Sequence, residues 1–235
     1  FVLRIPGKNP DVINRLSEKH NSTKALEYGL TMPYLIFDEN TGIKISKYFD
    51  IYTYKASDFK NENMRNNAFD ILNKLHNSDL AFQNNFSPLH VFQEIADTSN
   101  SIEQEAKEVG FKIVKRLNEI SISNHPCHQD LYSGNFILYN DEVYLIDWEY
   151  SSMGDKYFDY ADLFWQNEFD LDKNLRKEAL NEIGISNKDE IEKFEIFEIL
   201  SMITWGLWAL KRSPNDNDGQ VALNKAIKLC KDKKL

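Results

Sequence analysis

The chain has 235 residues, room for one large domain or two small ones, and its 42% hydrophobic and 13% aromatic residues are enough to build a core. A formal charge of -9 and a pI near 5.1 argue against nucleic acid, whose phosphates demand a basic face, and favour a cationic small molecule. Cys127 and Cys230 have no paired spacing, so neither a disulfide framework nor a zinc site is indicated and the cytoplasm is the expected compartment, and the longest apolar stretch, 199–210, is too short to span a bilayer.

In chain order, Phe-Val-Leu-Arg-Ile over residues 1–5 stops at Pro6-Gly7, the pattern of a strand ended by a turn. A helix follows, with Asp11 as N-cap, Val12, Ile13, Leu16, Ala25 and Leu26 on its apolar side, and Gly29 as its stop. Runs 34–37 and 43–49 flank residues 38–42, which end in Gly42, and read as a hairpin. From about Ser57 the chain turns helical. Residues 61–77 carry Met64, Ala68, Ile71, Leu72 and Leu75 at helical spacing, 81–88 form a loop, 89–96 a short helix, and 101–120 a helix with Ala106, Val109, Ile113 and Leu117 inward. His76 and His90 share no metal-ligand spacing and read as structural.

The stretch 125–150 carries the chemistry. Apolar runs 136–139 and 143–146, separated by Asn140, Asp141 and Glu142, read as two antiparallel strands joined by a tight turn. A hairpin folds its ends together, so Asn135 at its entry and Asp147 at its exit become neighbours, with Asp130 hanging nearby from the preceding loop. A carboxylate and an amide oxygen suit a magnesium ion, and a second carboxylate suits a general base. Beyond lie helices over 156–166, 175–183, 189–211 and 221–231, the third nearly all-round apolar in its second half and therefore buried.

The spacing His128-x-Asp130-x4-Asn135, with Asp147 twelve residues later, resembles the catalytic loop and metal-binding aspartate of the protein-kinase-like phosphotransferases. Asp147-Trp148-Glu149-Tyr150 and Trp205-Gly206-Leu207-Trp208 bring the resemblance closest to the choline and ethanolamine kinases, over nearly the whole chain. It implies a two-lobed α+β kinase-like fold, with a partial nucleotide-binding lobe over 1–49 and a catalytic, mainly helical lobe over 50–235. It also implies ATP and Mg2+, Asp130 as base, His128 bracing the loop, and Asn135 and Asp147 as metal ligands. Arg4 would hold nucleotide phosphates with Glu18 as its ion-pair partner, and Tyr48 and Phe49 would lie at the adenine hinge. Asp159, in Phe158-Asp159-Tyr160-Ala161, would support the catalytic loop from behind. A glycine-rich hairpin should precede Phe1, and without it weak ATP binding is expected.

A quaternary ammonium is held by ring faces at about 0.5 to 2 kcal/mol per ring. Trp205 and Trp208, three apart on a helix, share a face, and Glu149 and Tyr150 would stand opposite, with Tyr132 a weaker wall. The expected reaction is phosphorylation of choline. Kinases of ethanolamine, thiamine or aminoglycosides, and an inert binding module of the same fold, are the rivals. Gln166 stands where the family commonly has a glutamate, which bears on the choice between choline and ethanolamine. Oligomeric state is not written in the sequence.

Overall fold

The computed structural model describes residues 1–7, 13–83, 87, 89–90, 92–93, 104–120 and 123–234. The expected α+β architecture is present. At the front, β1 (Val2–Arg4), α1 (Arg15–Glu27), β2 (Tyr34–Phe37) and β3 (Lys44–Ser46) follow one another. β3 lies between β1 and β2 and is antiparallel to both, which sets Arg4 opposite Lys44. The hairpin turn forms as expected, with Asp38 N–H donating to the Ile43 carbonyl at 2.9 Å and Gly42 at φ 71°. Its second strand stops at Ser46, short of the expected 49.

α1 departs from its apolar pattern. Its cap is Asn14, whose side chain accepts from Ser17 N–H; Ile13 precedes the helix, and Asp11 and Val12 lie outside the described residues. The face it buries is Ser17, Glu18, Asn21, Ser22 and Ala25, whereas Leu16 is 65% exposed. A polar buried face follows from what the helix meets: Asn21 Nδ2 donates to the Ser151 carbonyl at 2.8 Å, and Glu18 faces arginines. Gly29 closes the helix as expected, with φ 71° and Leu30 N–H reaching the Ala25 carbonyl at 2.8 Å.

The rest of the chain runs β4 (Tyr52–Thr53), α2 (Glu62–His76), α3 (Gln104–Leu117), β5 (His125–Cys127), β6 (Phe136–Tyr139), β7 (Glu142–Leu145), β8 (Ser152–Gly154), α4 (Lys156–Gln166), α5 (Lys173–Glu182), α6 (Lys188–Arg212) and α7 (Asn217–Lys233). The expected helices are all there with ends moved by a few residues, except that the one over 89–96 lies largely outside the described residues. In the β6–β7 hairpin Tyr139 pairs with Glu142, so the turn is the two residues Asn140 and Asp141, both at positive φ, rather than three. β4 adds to the other edge of β6, and β5 pairs with β8. Neither pairing was foreseen, because two- and three-residue strands with distant partners leave no periodicity to read.

The core centres on α6, whose Phe194, Ile196, Ile199, Leu200, Ile203 and Leu207 are buried. α7 lies against it closely enough that a Cβ at Gly206 would sit 2.7 Å from Leu223 Cδ2 and 3.0 Å from the Gly219 carbonyl oxygen. Glu198 on α6 is buried in a bidentate pair with Arg176, both bonds 2.7 Å, which fixes α6 to α5. Among the described residues no helix is long and apolar enough to cross a membrane.

Candidate active site

The loop between β5 and β6 is held from behind by α4. The Asp159 carboxylate, fully buried, accepts from His128 N–H at 2.9 Å and Gln129 N–H at 2.7 Å and lies 2.8 Å from His76 Nε2. One turn on, Asp162 accepts from Leu131 N–H at 2.7 Å, and Asn167 Nδ2 donates to the Leu131 carbonyl at 2.9 Å. The amides of Gln129 and Leu131, the residues on either side of Asp130, are therefore fixed by α4. The loop's geometry needs this support, since Gln129 adopts φ 67°, uncommon for a residue with a side chain.

Asn135 Nδ2 donates to the Asp130 carbonyl at 2.8 Å and to Asp130 Oδ2 at 3.1 Å. Burial, with Asp162 and Asp147 nearby, pushes the Asp130 carboxyl up to about 8 against the pull of Asn135. A carboxyl so placed can exchange a proton close to neutral pH. His128 is fully buried, and burial lowers its pKa. Its Nε2 lies 2.9 Å from the Ile146 carbonyl and its ring stands edge-on to Trp148 at 4.8 Å, so it braces the exit of the hairpin and does not face the cleft with a charge.

Where β7 ends, Asp147 takes φ 67°, ψ 64°, and the turn Trp148–Tyr150 sends its three side chains different ways. Trp148 enters the core. Glu149 turns to the arginines: Arg4 Nη2 donates to it at 2.6 Å and Arg15 Nη1 at 3.1 Å. Arg4 also pairs with buried Glu18, as does Arg15, and Arg4 Nη2 stands 3.1 Å from Asp147 Oδ1. Lys44 Nζ is 3.7 Å from Glu18. Glu18, Asp147 and Glu149 each bring a carboxylate oxygen within 4.8 Å of the others. Asp147 Oδ1 is buried and, apart from its ion pair with Arg4, accepts no hydrogen bond among the described residues, a state that fits a hard cation once Arg4 moves.

Tyr150 goes to α6. Its ring meets Trp205 at 5.0 Å and Trp208 at 6.3 Å, and the two tryptophans stand 5.8 Å apart, all near perpendicular. Burial raises the Tyr150 hydroxyl far above its ordinary range. Tyr132, expected as a further wall, packs instead on Gly134, where a Cβ would lie 2.3 Å from its ring, and it makes no ring contact with this trio. Glu149, expected opposite the tryptophans, is bound to the arginines, because consecutive residues of a tight turn cannot share a face. Tyr48 is 70% exposed, while Phe49 stacks edge-on with Tyr139 at 5.2 Å.

Sequence reasoning missed Arg15, Lys44, Asp162 and Asn167. Arg15 was findable: it stands three residues before Glu18 on one helix, the spacing of a side-chain pair. Asp162 and Asn167 bond to Leu131, thirty-one and thirty-six residues away, and no local pattern announces such contacts.

Comparison with known proteins decides the family. The pattern of the phosphotransferase enzyme family matches residues 22–194. The chain belongs to that family. Protein LicA of Haemophilus influenzae is 29% identical over 258 aligned positions, 99% of this chain and 74% of the relative. The crystal structure of choline kinase LicA from Streptococcus pneumoniae superposes with a TM-score of 0.83 at 28% identity, over 97% of this chain and 84% of that one, and the structure of LicA in complex with AMP with 0.82 at 28%, over 97% and 82%. The GDP complex of aminoglycoside 2'-phosphotransferase-IIIa shares the fold, at TM-score 0.68, 11% identity and 96% and 85% coverage. The chain is thus a small-molecule phosphotransferase, choline-kinase-like, with the two-lobed α+β fold of the protein-kinase-like superfamily.

Proposed function

We propose that this chain transfers the terminal phosphoryl group of ATP to the hydroxyl of choline, giving phosphocholine and ADP. The observation that carries the reading is the four-residue span 147–150, which presents the buried Asp147 oxygen beside the Asp130–Asn135 loop and then the Tyr150 ring to Trp205 and Trp208. A phosphate-handling half and a cation-handling half are adjacent. The similarity to LicA of two species supports the same substrate.

Asp130 accepts the hydroxyl proton as the choline oxygen bonds to the terminal phosphorus and the bond from that phosphorus to the ADP oxygen breaks. Tyr150, Trp205 and Trp208 hold the trimethylammonium, each ring contributing about 0.5 to 2 kcal/mol. Asn135 and Asp147 are the residues that would hold magnesium, which supplies charge neutralisation on the phosphates. Arg4, released from Glu149, reaches the phosphates while Glu18 and Arg15 keep their pairing. Tyr48 and Phe49 border the adenine. The lobes would divide after residue 49, and among the described residues no strand pairing joins the β1–β3–β2 sheet to the sheets that follow. ATP as donor fits a cytoplasmic enzyme.

The test is magnesium-dependent ADP release with choline, ethanolamine, thiamine and an aminoglycoside. Turnover on choline far above the others supports the reading. Preference for a different acceptor keeps the phosphotransferase and removes the trio from substrate binding.

A further inference from the structure

Asp162 is a charged side chain with 0% exposure that touches neither the ATP side nor the acceptor side of the proposed reaction. Its contacts nonetheless come from both. Oδ2 accepts from Leu131 N–H at 2.7 Å, the amide directly after Asp130, and from Gln166 Nε2 at 2.9 Å. Oδ1 accepts from Ser201 Oγ–H at 2.6 Å, and that hydroxyl accepts in turn from Trp165 Nε1–H at 2.8 Å. Ser201 lies one helical turn before Trp205 on α6, so its side chain fixes the rotation and depth of the face that carries Trp205 and Trp208.

Burying a carboxylate costs more than burying a hydrophobic group of the same size unless its bonds are all made and all needed. A loop support alone would need only the Leu131 bond. Asp159 gives each of its oxygens to a loop amide, Oδ2 to His128 and Oδ1 to Gln129, with His76 of α2 sharing Oδ2. The second oxygen of Asp162 is committed to a different segment, at Ser201, 70 residues along the chain from Leu131.

We infer that Asp162 is a positioning residue that holds the base loop and the aromatic helix in one register, so that an alcohol seated on Trp205 and Trp208 presents its oxygen to Asp130. This rests on the proposed reaction for the identity of the alcohol, and on the hydrogen bonds alone for the coupling.

Three variants test it. Ser201→Ala cuts only the helix arm and should raise the acceptor KM about fivefold, with the ATP KM and kcat within twofold of wild type. Asp162→Ala cuts both arms and should lower kcat about a hundredfold while also raising the acceptor KM. Asp162→Asn, which can accept from Leu131 and donate to Ser201, should recover at least tenfold of that loss in kcat. In the double variant, Ser201→Ala added to Asp162→Ala should change the acceptor KM no further, because its effect passes through the missing carboxylate. Equal rises in both KM values for Ser201→Ala, or additivity in the double variant, overturns the coupling, and so does an Asp162→Ala enzyme with wild-type constants. Should Asp162→Ala not fold, the Ser201→Ala split and the Asp162→Asn constants still decide. Turnover of an acceptor other than choline would end the choline reading only, since the same constants are then read on that acceptor. If no acceptor is turned over, amide hydrogen exchange of the 129–135 segment decides: faster exchange in Ser201→Ala supports the link, and unchanged exchange removes it.

Discussion

Two groups of carboxylates border the cleft and are held in opposite ways. Asp159 and Asp162 are fully buried and each accepts from backbone amides of the loop that carries Asp130, at 2.7 to 2.9 Å. Glu18, Asp147 and Glu149 face the long side chains of Arg4 and Arg15 instead. Backbone amides cannot leave without unfolding the loop, whereas a guanidinium can swing to a phosphate that offers it a better partner. The first group is a fixed frame and the second an exchangeable one. Asp130 lies between them, with only the Asn135 amide on its carboxylate among the described residues.

The sharpest way to break this contrast is at Asp130 itself. Asp130→Asn should lower kcat by about a thousandfold, the middle of the range for loss of a general base, while the melting temperature holds or rises because burial already disfavours the charged form. Wild-type kcat/KM should climb about tenfold per pH unit toward pH 8: the base form is required, and the folded protein keeps the proton on up to about 8. A profile flat between pH 6 and 8 would remove Asp130 from the role.

Asp159→Ala should cost about 3 kcal/mol of stability in urea unfolding, since it strands two buried amides and a histidine. A loss below about 1 kcal/mol would mean the frame is not fixed. Trp208→Ala should raise the choline KM about tenfold, equivalent to about 1.4 kcal/mol, with the ATP KM little changed. Equal shifts in the two constants would return Trp208 to the core. At the far end, Glu39→Gln removes the exposed partner of Lys19 and should leave the melting temperature unchanged, because solvent screens such a pair. A measurable drop there would blur the distinction between exchangeable and fixed charges.

Much of the site was legible because its residues are close in sequence. The β6–β7 hairpin announces itself by two apolar runs around Asn140 and Asp141, and closing it brings Asn135 and Asp147 together. The aromatic face of α6 follows from the spacing of Trp205 and Trp208. α1 misled for a physical reason. Apolar periodicity pointed to Val12, Ile13 and Leu16, but a helix that buries Ser17, Glu18 and Asn21 against a polar cleft shows no such period where it matters. Glu149 was assigned to the wrong partner because a sequence does not show which way a turn throws each side chain.

Gly206 stands between the two tryptophans in the chain, on the side of α6 turned toward α7, and the space a methyl group would need there is already taken by Leu223 and the Gly219 carbonyl. The depth of the aromatic face is therefore set from behind, by an atom that is missing. Volume added at position 206 would push α6 toward the cleft and narrow the proposed acceptor pocket without altering any residue that lines it. On the proposed reaction, selectivity for acceptor size would be adjustable from the rear of the helix, like a stop screw behind a jaw.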